Sequence, residues 1–248
     1  MLDACASGDV AALRRLFEAL DIRKGSEPVN RDNCTPDGPP RVAEMLEVAV
    51  VNGNSDIVFF ILETYERIDF YSLSPVLKAL LEHPDLAILE ALYNQDNRVI
   101  NFEWDDMTTF VNEACSQPPE KIAPLILFAV EHDWHFESGF YLRGLTAGVF
   151  AAVRGDQPLA VIEAMIKKGA PIYSTAAEMA VECERVDVLE AFIRLSVKGE
   201  GLDVDALRTK AQETGNKKVI NLVDIWTGKR RGLFDRLGFD SLWRRICG

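Results

Sequence analysis

Nowhere in this 248-residue chain do about 18 apolar residues run without a charge, so no membrane-spanning helix is expected. The nearest candidate, VAEMLEVAVVNGNSDIVFFIL, is broken by Glu44, Glu47 and Asp56. No secretory signal is read at the amino terminus either, because Asp3 and Asp9 interrupt what would have to be its apolar stretch. Cysteine is scarce: Cys5, Cys34, Cys115, Cys183 and Cys247 are odd in number, widely spaced and never form a CxxC pair. That argues against a disulfide framework and for free thiols in a reducing cytoplasm or nucleus. Cys5, Cys115 and Cys183 fall among small helical residues and are expected to be buried as small hydrophobes. Basic residues are also few, Lys+Arg 27 against Asp+Glu 39, giving a net charge of -12 and a pI near 4.8. The broad positive footprint of a nucleic-acid binder is therefore missing.

The chemistry-bearing motifs are equally thin. There is no GxSxG elbow and no GxxxxGK[ST] loop, and the glycines do not follow strands. Of the three histidines, His132 and His135 sit in Glu131-His132-Asp133-Trp134-His135, three apart at a helix end rather than one turn apart on a continuous helix. A structural role is preferred there over a metal or acid–base role, and His83 is read as a solvated turn residue. Asp105-Asp106 offers either a carboxylate pair for acid–base work or a helix cap. No cofactor and no metal is expected.

What is present is repetition. The chain is 48% hydrophobic and 27% charged, a globular composition. A unit recurs in which a small residue lies in a first helix, a break follows, and an apolar second helix comes next. Its anchors, Ala4, Ala49, Ala79, Ala114, Ala151, Ala180 and Ala211, are separated by 45, 30, 35, 37, 29 and 31 residues, near the roughly 33-residue spacing of helix-turn-helix repeats. Alanine lets two antiparallel helices approach, and Gly8, Gly53, Gly155 and Gly215 are placed to end the first helix in the left-handed conformation. A single pair cannot bury its own apolar face, so stacking is expected, with Val58, Ile61 and Leu62 against Leu77, Leu80 and Leu81.

These residues resemble the ankyrin repeat family. The clearest match runs through Leu145-Thr146, Ala151-Ala152-Val153-Arg154-Gly155-Asp156, the apolar Leu159, Val161, Ile162, Met165 and Ile166, and Lys168-Gly169-Ala170-Pro171-Ile172. Further matches are the Ala-Ser-Gly-Asp run at 6 to 9, Val51-Asn52-Gly53-Asn54, and Thr109-Phe110 ahead of Ala114-Cys115. The resemblance covers about residues 2 to 226. It implies an all-α solenoid of about seven helix pairs with short hairpin fingers. No repeat keeps a full Thr-Pro-Leu-His, and Pro118, Pro119 and Pro124 depart from the pattern at 107 to 130.

Two segments break the period. Residues 21 to 41 hold four of the eleven prolines and are read as an extended loop inserted into the array at 1 to 226. Residues 227 to 248 form a basic extension, +4 against -16 for the rest. Phe239, Leu242, Trp243 and Ile246 lie on one helical stripe there, with Arg244 and Arg245 opposite. The stripe permits two readings: a cap on the last repeat, or a basic amphipathic helix for a membrane surface or partner groove. Docking on the acidic face of its own or another copy is a further one.

The inter-repeat loops are unusually aromatic. In an ankyrin array such loops project side by side, so the resemblance implies a recognition strip carrying Tyr71, Trp104, Tyr141 and Tyr173, while Phe102 and Phe136 are expected to fold inward. Glu103, Asp105 and His135 complete the candidate set, and Asp69, Glu137 and Glu182 add negative charge. The function expected is a non-catalytic scaffold holding a protein or peptide of basic or mixed charge on a concave surface. The competing class is an enzyme or small-molecule binder with an atypical active site in the same cleft. A pocket enclosing the aromatics with a convergent acid favours that class, and an open groove disfavours it.

Overall fold

A computed structural model describes residues 1–36, 38–65, 67–104, 108–132, 134, 148–195 and 202–228. Among them there are fourteen α-helices and no β-strand. No helix of the described residues is long and apolar enough to cross a membrane. The chain divides into two compact units, Met1–Phe140 and Tyr141–Gly248.

The first unit holds four helix pairs: α1 (Leu2–Ser7) with α2 (Val10–Ala19), α3 (Val42–Val51) with α4 (Ser55–Thr64), α5 (Ser74–Glu82) with α6 (Leu86–Gln95), and α7 (Phe110–Cys115) with α8 (Pro119–Glu131). The second holds three: α9 (Gly148–Arg154) with α10 (Leu159–Lys167), α11 (Ser174–Glu182) with α12 (Val186–Arg194), and α13 (Val204–Thr214) with α14 (Lys217–Trp226). Within each unit first helices pack on first helices, α1 on α3, α3 on α5 and α5 on α7, then α9 on α11 and α11 on α13. Second helices do the same, α2, α4, α6 and α8 in one run, α10, α12 and α14 in the other. The stacking expected between Val58, Ile61 and Leu62 and the following first helix is thus carried mainly between α4 and α6, and those three side chains are buried.

The turn inside each pair has a shared physical cause. In four pairs the N–H five residues beyond a small residue donates back to its carbonyl, Asp9 to Ala4 at 3.0 Å and Asn54 to Ala49, Gln157 to Ala152 and Arg185 to Ala180 at 2.9 Å. That bond needs a left-handed residue just before the donor, supplied by Gly8 (φ 71°), Gly53 (69°), Asp156 (52°) and Glu184 (50°). Gly215 (66°) is left-handed too, but there the Thr214 hydroxyl intervenes, donating to Ala211 O at 2.8 Å and accepting from Asn216 N–H at 3.2 Å. Two details correct the sequence reading. Asp156, not Gly155, takes the left-handed position, and Ala152 rather than Ala151 is the fully buried small residue, so the register there moves by one.

The residue that starts the second helix often reaches back to the previous pair. The Asn54 side-chain amide donates to Cys5 O at 2.8 Å and Ala6 O at 2.9 Å, and leaves its own helix without a side-chain cap. Arg185 donates to Asp156 at 2.7 Å and to Gln157 O at 3.1 Å, and the Asn216 amide donates to Glu184 at 2.6 Å. Gly8 is constrained twice, by its positive φ and by Asn54, whose Oδ1 would lie 2.7 Å from any added Cβ.

Cys5 and Cys115 are buried, and burial raises both thiols, Cys5 to about 11. Cys183 is exposed, contrary to expectation, because it follows the last turn of α11 beside left-handed Glu184.

Candidate functional site

The first unit contains a groove of about 1190 Å³. Its base is the exposed side of three consecutive first helices. Ala43, Glu44 and Glu47 come from α3, and Ser74, Pro75, Lys78, Leu81 and Glu82 form the i, i+4, i+7 stripe of α5. Glu113 comes from α7, with Gln117 just beyond it. The opposite sides of α3 and α5 carry Met45, Leu46, Ala49, Leu77 and Leu80 into the core, so burial of one stripe turns the other outward.

One wall is the proline-rich insertion. Gly25 donates to Thr64 O at 2.9 Å and Val42 donates to Val29 O at 3.0 Å, fixing the segment at both ends. Between these ties Asn30 Oδ1 accepts from Asp32 N at 2.8 Å, and Asn33 Oδ1 from Asn30 N at 2.7 Å. Val29, Asn30, Arg31 and Asp32 are thereby presented to the groove. The sequence shows the insertion only as a break in period. Its backbone ties, which make it a wall, leave no compositional mark.

The other wall is aromatic. Phe70–Leu73 forms a 3-10 turn capped by Asp69, and residues 102–104 pair antiparallel with 108–110 as the two arms of a short hairpin, with Trp104 donating to Thr108 O and Phe110 to Phe102 O, both at 2.9 Å. Rings pack in series along it: Tyr71 on Phe70 at 5.4 Å, Phe70 on Phe102 at 5.1 Å, and Phe102 on Trp104 at 5.3 Å. The Trp104 indole N–H donates to Ser74 Oγ at 3.1 Å, and the Lys78 ammonium lies 5.9 Å from its ring centroid. Arg98 covers Phe70 at 4.6 Å while its guanidinium holds Asp96, whose carboxyl it keeps below the usual range.

This row corrects the expected strip. Tyr71 is exposed at 76%, as read from the sequence, but Trp104 is only 9% exposed and serves as the groove floor. Phe102 is buried, as expected. Glu103 is exposed and lines the groove, bridged to Thr109 across the hairpin. Tyr173 is half-buried, precedes α11 and belongs to the second unit, so it is not part of this groove. Asp105, His135 and Tyr141 lie outside the described residues, as do Asp106, Phe136, Glu137 and the segment 229–248. His132 ends α8, donates from Nδ1 to Phe128 O at 2.7 Å, and packs on the Phe128 and Tyr93 rings. His83 is exposed at the end of α5.

Seven carboxylates line the groove, Asp32, Glu44, Glu47, Asp69, Glu82, Glu103 and Glu113, against three cations, Arg31, Arg41 and Lys78. Arg41 is committed to Glu44, donating from Nε to Oε1 at 3.0 Å and from its backbone N–H to Oε2 at 3.2 Å, and this bonding lowers the Glu44 carboxyl. Among the described residues Glu47, Glu82, Glu103 and Glu113 make no ion pair. Sequence reasoning found the loop acids but not Glu44, Glu47, Glu82 and Glu113. The i, i+3 spacing of Glu44 and Glu47 opposite a buried Met45–Leu46 pair is the signal that points to them. Glu182, expected to add to the acidic strip, is instead held by Lys210.

Chemically, this is a cation-attracting trough with one exposed aromatic edge. No histidine or cysteine is among its described lining residues. Its two serine hydroxyls are engaged within the fold, Ser72 donating to Asp69 O at 2.6 Å and Ser74 accepting from Trp104. No group of three or more His, Cys, Asp or Glu suited to a metal ion occurs among the described residues. The chain matches no protein-family model, and no curated protein or solved structure matches it.

Proposed function

We propose that the chain is an ankyrin-like repeat scaffold that holds a protein or peptide of basic or mixed charge in the acidic groove of its first unit, without catalysing a reaction. The in-register stacking of first helices on first helices and second on second supports the ankyrin-like reading. So do the recurrent left-handed turns and the antiparallel pairing of 102–104 with 108–110.

The observation that carries the functional reading is the set of four carboxylates, Glu47, Glu82, Glu103 and Glu113, that line a groove beside exposed Tyr71 and make no ion pair among the described residues. Lysine or arginine side chains entering there gain charge-assisted bonds, and Tyr71 offers a face for a guanidinium or apolar residue.

The test is fluorescence anisotropy of a labelled peptide rich in Lys, Arg and Trp, titrated with the wild-type chain and with Tyr71→Ala. The expected result is saturable binding that weakens with added salt and falls several-fold in the variant. Binding that ignores both salt and Tyr71 overturns the proposal.

A further inference from the structure

The groove has a ligand encoded in the same chain. We propose that the basic segment 229–246 of a second copy docks in it, so that the protein self-associates head to tail; this rests on the groove being a site for basic peptides.

Charge complementarity is the first argument. The segment carries Lys229, Arg230, Arg231, Arg236, Arg244 and Arg245 against Asp235 and Asp240, and the groove carries seven carboxylates against three cations. The next most basic stretch, 208–218, has Arg208, Lys210 and Lys218 already held in ion pairs.

Size is the second. Adjacent packed helices lie about 8–10 Å apart, so the base spanning α3, α5 and α7 extends roughly 16–20 Å. An apolar stripe from Phe239 to Ile246 is about 12 Å long as a helix, which leaves room for flanking arginines to reach the rim acids.

Pattern is the third. The sequence spacing of Phe239, Leu242, Trp243 and Ile246 would put them on one face of a helix with Arg244 and Arg245 opposite, and the groove pairs apolar Leu81, Pro75 and Tyr71 with a carboxylate rim. A tail-to-groove contact joins two different surfaces, so copies associate either by reciprocal exchange of tails in a closed dimer or ring or by open head-to-tail addition.

Sedimentation velocity over a concentration series tests this with the full chain, a tail variant Arg244→Glu/Arg245→Glu and a groove variant Glu47→Lys/Glu82→Lys/Glu113→Lys. The wild type is expected to shift to larger species as concentration rises. Each variant alone is expected to lose that shift, needing at least tenfold more protein. Mixing the two variants is expected to restore it in part, because the unchanged basic tail of the groove variant meets the unchanged acidic groove of the tail variant. The tail variant changes no residue of the fourteen described helices, so its behaviour is decisive even if the groove variant fails to fold. A wild type that stays monomeric throughout overturns the proposal, as does a tail variant that associates like wild type. If the labelled basic peptide still binds in those cases, the groove reading survives and only the second-copy occupant is wrong. If the peptide does not bind either, both fail.

Discussion

The two units treat their carboxylates in opposite ways. In the second unit acids are matched to cations across neighbouring helix pairs: Asp156 to Arg185 at 2.7 Å, Glu178 to Lys210 at 2.8 Å, Glu190 to Lys218 at 3.0 Å, and Glu163 to Arg194. In the first unit the ion pairs join residues two or three apart, Asp21–Arg23, Arg41–Glu44 and Asp96–Arg98. Its neighbouring pairs are joined by hydroxyl, amide and indole bonds instead, from Ser55 to Asp85 at 2.8 Å, Gln95 to Leu62 O at 2.8 Å, and Trp104 to Ser74. Cross-pair matching leaves little net field on the second unit. Among the described residues of the first unit no ion pair joins neighbouring helix pairs, which leaves an acidic trough where an outside cation can complete the charge balance.

The largest effect that sharpens this contrast is expected from Trp104→Ala. The ring packs on Phe102 and its N–H anchors Ser74, so its loss costs about 3–5 kcal/mol, seen as a lower urea midpoint. A loss below about 1 kcal/mol would mean that the hairpin is not part of the core.

Next come the two staples. Asn54→Ala and Arg185→Ala each remove side-chain bonds to the preceding pair and are each expected to cost about 1–3 kcal/mol. The difference lies in salt. The Arg185 staple should weaken between 0.05 and about 0.5 M salt on the scale set by screening, and the Asn54 staple should not. Equal salt sensitivity in denaturation of the two variants would erase the proposed distinction.

Acid gives the third test. Arg185 lowers the Asp187 carboxyl below its ordinary value, so its contribution is present above the unfolded value near 3.9 and is lost as pH falls through the folded one. Stability should therefore drop as pH goes below about 4, and Arg185→Gln should flatten that drop in a pH series of thermal melts. Smallest of all, Lys210→Ala removes partly exposed pairs with Glu178 and Glu182, worth up to about 1 kcal/mol.

The helix pairs were legible in the sequence because they follow from local chemistry. A small residue, a left-handed position and an apolar stripe recur, and Ala4, Ala49, Ala180 and Ala211 all fall at buried positions. The one-residue slip at Ala152 arose because Ala151, Ala152 and Gly155 offer two equally good registers. The groove was only partly legible. Tyr71, Glu103 and the inward Phe102 could be read from the aromatic loops. Trp104 could not be placed, because its burial depends on Ser74, thirty residues away. The insertion at 21–41 was visible, but its role as a wall depends on contacts to Thr64 that composition does not encode.

The central claim is that the unmatched acids of the first unit, and not the matched acids of the second, receive a basic partner. Calorimetric titration of the Lys-, Arg- and Trp-rich peptide into two charge-neutral variants tests it most directly. Glu47→Gln/Glu82→Gln/Glu113→Gln is predicted to weaken binding about tenfold, at a few tenths to about 1 kcal/mol per lost charge, while Glu178→Gln/Glu190→Gln leaves it within twofold of wild type. An equal loss in both variants, or a loss only in the second, would contradict the account.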